Sequence, residues 1–178
     1  MKKILILAAL LLASCSHRAS TSNPDTIISI QVIDRNGFTE TMSTDERLSQ
    51  YQKVDFLEPQ PFQKVQRVFS RSPEGKTRSA ITSYHSNGQI FQYLDVVDGR
   101  AHGAYGEWHP NGTKKLEVTV IEGVPDITEV AQASWLFDGD SFVWDEEGHL
   151  IAEIIYEKGL LEKISCYYHS NGQLKKEV

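Results

Sequence analysis

Glycines at fixed intervals limit this chain's folds more than any other feature. Four corners align: Tyr84-His85-Ser86-Asn87-Gly88, Trp108-His109-Pro110-Asn111-Gly112, Trp144-Asp145-Glu146-Glu147-Gly148 and Tyr168-His169-Ser170-Asn171-Gly172. Each places an aromatic residue four positions before a glycine, and the glycines are 24, 36 and 24 residues apart. A second glycine, at Gly99, Gly123 and Gly159, follows eleven residues after the first three. Self-similarity at a fixed period marks a repeat array. Asn-Gly is the strongest short-range hairpin signal, because both residues tolerate positive φ.

Between paired glycines the apolar residues alternate. Ile90, Leu94 and Val96 share one face, as do Leu116, Val118 and Val120, and Leu150, Ala152, Ile154 and Tyr156. A period of two indicates half-buried strand, with Gln92 and Lys114 interrupting the stripe. One hairpin cannot bury such a face alone, but stacked neighbours can. The spacing therefore predicts a mainly β fold, an extended antiparallel meander of repeated hairpins over residues 76–178. About twelve residues are inserted after Gly123, over 124–135. Asp126 with Glu129 three later resembles a helix cap, so Ile127 to Ser134 reads as one or two helical turns or as an irregular loop. Either form is expected to project from the sheet, and insertions in repeat proteins often mark the binding face.

The x-Asn-Gly-x-hydrophobic corner, its preceding aromatic and Gly99-Arg100-Ala101-His102-Gly103 resemble bacterial MORN-variant repeats, over roughly Arg67 to Val178. Proteins with such arrays include the YwqK-like antitoxin family. The resemblance implies an elongated antiparallel sheet used for binding or scaffolding. Departures occur at Glu147, where the other corners have Asn, and at Lys163, which stands where the first repeat has Gly103.

Residues 1–14 read as a secretory signal: Met1-Lys2-Lys3 is basic, and Ile4 to Leu12 is apolar but too short to span a bilayer. Leu12-Ala13-Ser14-Cys15 looks like a bacterial lipobox, which makes Cys15 the lipidated first residue of the mature chain. Each buried methylene contributes about 0.8 kcal/mol, so several acyl chains hold a protein firmly at a membrane. The expected location is the cell envelope, and Ser16 after the lipid site permits the outer membrane of a diderm. Cys166 is the only other cysteine and reads as a small buried hydrophobe.

Residues 15–25 are polar and read as a tether. Residues 26–75 read as an N-terminal cap: a hairpin around Asp34 to Gly37, a short helix over Asp45 to Tyr51 capped by Ser43 or Thr44, and a further strand. A net charge of −6 without a basic patch argues against nucleic acid.

Chemistry-bearing motifs are few. His85, His109 and His169 share one slot of the repeat, but equivalent residues two strands apart lie about 10 Å from each other. Metal ligands sit about 2 Å from a shared ion, so these read as turn residues and no metal or cofactor is expected. Asp138-Gly139-Asp140 starts like a calcium loop, yet Phe142 and Val143 occupy positions that need an oxygen ligand and a glycine. The chain is expected not to be an enzyme but a β-repeat binding or scaffolding module. Its partner would be a protein or another envelope component. Neutralising a toxin and acting on envelope polymers are the alternatives. Tyr84, Trp108, Trp135, Trp144 and Tyr168 are the candidate partner contacts, as an aromatic edge beside the insert.

Overall fold

The computed structural model describes residues 25–51, 54–60, 63–169 and 173–177. Cys15, the signal segment, the tether before Asp25 and the Asn171-Gly172 corner lie outside them. One antiparallel sheet of eleven strands forms the fold, in the order β2-β1-β3-β4-β5-β6-β7-β8-β9-β10-β11. The strands are β1 Thr26–Asp34, β2 Thr39–Met42, β3 Gln63–Arg71, β4 Thr77–Tyr84, β5 Ile90–Val97, β6 Arg100–Trp108, β7 Lys114–Glu122, β8 Leu136–Trp144, β9 Leu150–Glu157, β10 Leu160–Tyr168 and β11 Leu174–Glu177. From β3 onward each strand pairs with the next, so this part is a strict meander. At the other end β1 lies between β2 and β3, so the residues joining β2 to β3 pass across it.

Two kinds of corner alternate, and local chemistry explains both. At the first, Gly88 N–H donates to His85 O (2.9 Å) and His85 N–H to Gln89 O (2.7 Å), with Gly88 at φ 89°. The Asn87 carboxamide oxygen accepts from Gln89 N–H at 3.0 Å, and Asn111 does the same for Thr113 N–H at 2.9 Å. The same backbone pattern recurs at Gly37, Gly75, Gly112 and Gly148, so this corner extends upstream of the repeats read from sequence. The second kind is a two-residue turn with both φ values positive, at Asp98-Gly99 and Lys158-Gly159.

Every aromatic corner carries a register shift at the same place: Ser83/Tyr84, Glu107/Trp108, Val143/Trp144 and Tyr167/Tyr168. Each is a bulge with one extra residue on the returning strand, which breaks strict alternation. Ile90 is consequently paired with Tyr84 and stands apart from the Leu94 and Val96 cluster with which simple alternation groups it.

The two faces are covered by different segments. Ile81, Leu94, Tyr105 and Val118 are cross-strand partners in sequence and form the centre of one apolar face. Residues 124–135 fold back over this face and add Trp135, with Ile127 packed against the cluster. The insert therefore packs down as a second layer instead of projecting. On the opposite face, at the N-terminal end, Ile30 and Met42 meet Leu48 from α1 (Asp45–Leu48), with Tyr51, Phe56 and Val68 around them. Helix α1 stops at Leu48, before the expected Tyr51, and starts at Thr44 without a side-chain cap bond. Helix α2 is one turn, Glu129–Gln132, with Thr128 and not Asp126 at the N-cap position and no side-chain cap bond. Asp126 is diverted because its carboxylate is bound on both sides, taking Thr128 N–H at 3.1 Å and Arg67 at 2.7 Å.

Candidate binding surfaces

The aromatic residues do not form one exposed edge. Tyr84 is 5% exposed and donates its hydroxyl to Phe56 O at 3.0 Å. Burial pushes its phenol well above the usual tyrosine range, the dominant cause, with the Asp55 charge adding to it. Trp135 is 6% exposed, donates Nε1–H to Val124 O at 2.9 Å, and meets Tyr105 edge-on at 4.8 Å. Both are core residues and offer no surface to a partner, which corrects their place among the candidate contacts. Trp108 and Trp144 are half-buried. Trp108 lies across Gly106, where a Cβ would come within 2.7 Å of its ring, and Lys114 Nζ stands 5.6 Å from the ring centroid. Trp144 packs at a tilt against Phe142 at 5.9 Å. For Tyr168 only the backbone is described, paired with Leu174.

The corner histidines and asparagines have a shared task. His85 Nε2–H donates to Trp108 O at 2.8 Å and His109 Nε2–H to Trp144 O at 3.0 Å. Asn87 Nδ2–H donates to Pro110 O at 2.6 Å and Asn111 Nδ2–H to Glu146 O at 2.7 Å. Each repeat thus reaches from its own corner to the carbonyls of the next. Upstream, the Arg35 guanidinium donates to His85 O, which brings the first corner into the ladder. At the third corner Asp145 and Glu147 take the slots of His and Asn. Carboxylates only accept, so these two cannot extend the ladder by donating. Asp145, Glu147 and His149 bring three possible metal-ligand atoms within 4.8 Å of one another. Glu147 and His149 are solvent-exposed, and His149 Nδ1 lies 3.2 Å from Asp145 Oδ2.

An open trough lies on the insert side of the sheet. Two pockets of about 380 Å³ each run along β3 and β4, and the ion pair between Arg67 and Asp126 belongs to both. One pocket, at the Gly99 end, has Gln31, Phe69, Arg78 and Ser79 around it. The other, towards the Tyr84 corner, is mainly apolar and lined by Ile33, Val65, Phe91 and Ile127. Together they form a trough walled on one side by residues 125–128 of the insert. Cross-strand pairing makes its floor: Gln31, Arg67 and Ile81 form one row, and Phe69 and Ser79 the next. Arg67 Nη1–H donates to Gln31 Oε1 at 3.3 Å, so the guanidinium is held from both sides. Arg67 belongs to no recognisable sequence motif. Its signal is an arginine between Val65 and Phe69, at the inward-facing position of an alternating strand.

A polar network ties sheet to insert nearby. Tyr105 donates its hydroxyl to Glu107 Oε1 at 2.6 Å and accepts from Gln92 Nε2 at 2.9 Å and Gln132 Nε2 at 3.3 Å. Gln92, which interrupts the apolar stripe in sequence, is buried because these partners satisfy it.

The family model of the MORN repeat variant matches residues 161–178, the stretch of β10, the last corner and β11. No curated protein and no solved structure matches the chain. Fold and match together define a β-ribbon of hairpin repeats that carries a MORN repeat variant at its C-terminal end.

Proposed function

We propose that this protein is a non-enzymatic binding or scaffolding module, held at a bacterial envelope membrane by lipid on Cys15, which takes its partner in the trough beside the insert. The observation that carries this reading is the pair of pockets joined at Arg67 and Asp126 on a continuous hydrogen-bonded sheet. A sheet whose corners are stapled to one another is a stiff platform, and recognition on stiff elements loses little entropy on binding. The charged groups in the trough centre on an arginine–aspartate pair already engaged with each other, a set suited to holding a ligand and not to proton transfer. The lipobox, Leu12-Ala13-Ser14-Cys15, supports the anchor.

Two measurements test this. Metabolic labelling with an alkyne fatty acid should mark the wild-type chain and leave Cys15→Ser unlabelled; an unlabelled wild type removes the anchor. Cross-linked capture from intact envelopes should recover a partner with the wild type and with Trp144→Ala, and lose it with Phe69→Ala. Loss with Trp144→Ala and retention with Phe69→Ala would move the surface to the aromatic corners.

A further inference from the structure

Resting on the binding-module reading, we propose that the Gly99 end of the trough is a saccharide site, in which a sugar ring lies over Phe69 while Gln31, Ser79 and Asp126 bond its hydroxyls. Three features of the pocket select this ligand class. The first is the state of the backbone. Residues 67 and 69 of β3 are paired on both sides, with β1 and β4, so the floor has no free strand edge for an extended peptide to join. Recognition there must come from side chains.

The second is the balance of donors and acceptors. Arg67 only donates, Asp126 only accepts, and Gln31 and Ser79 do both. Sugar hydroxyls also do both, and neighbouring hydroxyls match such a mixed set. A phosphate or carboxylate would find the Asp126 carboxylate 2.7 Å from Arg67, already compensating that charge. Arg78, the cross-strand partner of Ser70, pairs with Asp25 at 3.6 Å on the other face and adds no charge to the hollow. The site is rich in hydrogen-bonding groups but close to neutral.

The third is shape. The pocket is an open hollow of about 380 Å³ with Phe69 half-buried in its floor. An aromatic ring presented in this way suits the apolar C–H face of a pyranose, just as aromatic surfaces bury other flat apolar groups. The neighbouring apolar pocket, lined by Val65, Phe91 and Ile127, would take a ring substituent such as an N-acetyl methyl.

The test is saturation-transfer NMR and titration calorimetry on the detergent-solubilised full chain. Tri-N-acetylglucosamine, cellotriose and maltotriose serve as saccharide probes, with inorganic phosphate and a Glu-Ala-Ala-Glu peptide as competing classes. At least one oligosaccharide should receive saturation at its ring protons. Its Kd should weaken about tenfold in the double variant Gln31→Ala/Ser79→Ala, as expected for two lost hydrogen bonds. Phe69→Ala should abolish the transfer, with circular dichroism showing the sheet retained. The idea is overturned by no transfer to any oligosaccharide, by a Kd unchanged in the double variant, or by binding of phosphate or peptide in place of sugar. A chain that takes no sugar, yet loses a captured envelope partner on Phe69→Ala, keeps the binding-module reading and sinks only the saccharide.

Discussion

Replacing Trp135 with alanine removes the side chain that fastens the insert to the sheet, and its cost follows from the contacts. The indole is 6% exposed, is packed edge-on against Tyr105, and donates to Val124 O at 2.9 Å. It also sits so close over Gly123 that a Cβ there would stand 2.4 Å from its Cδ1. Truncating a buried tryptophan costs about 3–5 kcal/mol. The lost ring pair contributes roughly 1 kcal/mol of this, and Val124 O loses a partner worth about 1 kcal/mol more. For a chain of this size a loss of 1 kcal/mol lowers Tm by roughly 2–4 °C, so Trp135→Ala should melt on the order of 10 °C below wild type. Trp135→Phe keeps most of the buried area and forfeits the hydrogen bond, for about 1–2 kcal/mol. Trp144→Ala, at a half-buried site, should cost about 1 kcal/mol. Urea denaturation with matched m-values gives the three numbers, and hydrogen exchange should show residues 124–134 losing protection first in Trp135→Ala. A Trp135→Ala protein within about 1 kcal/mol of wild type would refute the account of the insert as a packed layer.

Three further outcomes follow from single sites. Gly103→Ala should destabilise by about 2 kcal/mol or more, since a Cβ there lies 2.6 Å from Asp95 Cβ at φ +124°; Gly99→Ala, with open space at φ +75°, should cost only about 1 kcal/mol, and denaturant midpoints rank the two. Asn87→Ala and Asn111→Ala each remove one rung between neighbouring corners and should cost about 0.5–1.5 kcal/mol; because Asn87 bonds the carbonyl of the peptide leading into Asn111, the double variant should depart from the sum of the two, as thermal unfolding will show. Burial pushes the Glu107 carboxyl up, but hydrogen bonds from Lys115 and Tyr105 outweigh it and hold it below the usual 4.5. Its stabilisation is therefore complete above that value and disappears as pH falls through the folded-state pKa; urea melts between pH 6 and 3 should show a flatter acid limb for Glu107→Gln, and parallel curves would remove the effect (pH range chosen to bracket roughly the usual glutamate pKa).

Much of the fold was legible because its corners are local. Asn-Gly and Asp-Gly choose their turn from a few consecutive dihedrals, so Gly88, Gly99 and Gly112 could be placed without knowing what packs above them. The bulges beside Tyr84, Trp108 and Trp144 were not legible, because an unpaired residue leaves no trace in composition. Gln92 read as an interruption and is instead a buried hub, since a glutamine side chain enters a core when partners on other strands await it. Asp126 carried a genuine helix-capping pattern, but a partner 59 residues away took its carboxylate.

The meander from β3 onward and its hairpin period were determined by the sequence itself, because turn chemistry and alternation act over fewer than a dozen residues. Only the tertiary structure decided that residues 124–135 lie down on the sheet, that Tyr84 and Trp135 belong to the interior, and that Arg67 meets Asp126 between two pockets. Those outcomes depend on which residues far apart in the chain come within a few ångströms of one another, and no local pattern encodes that distance.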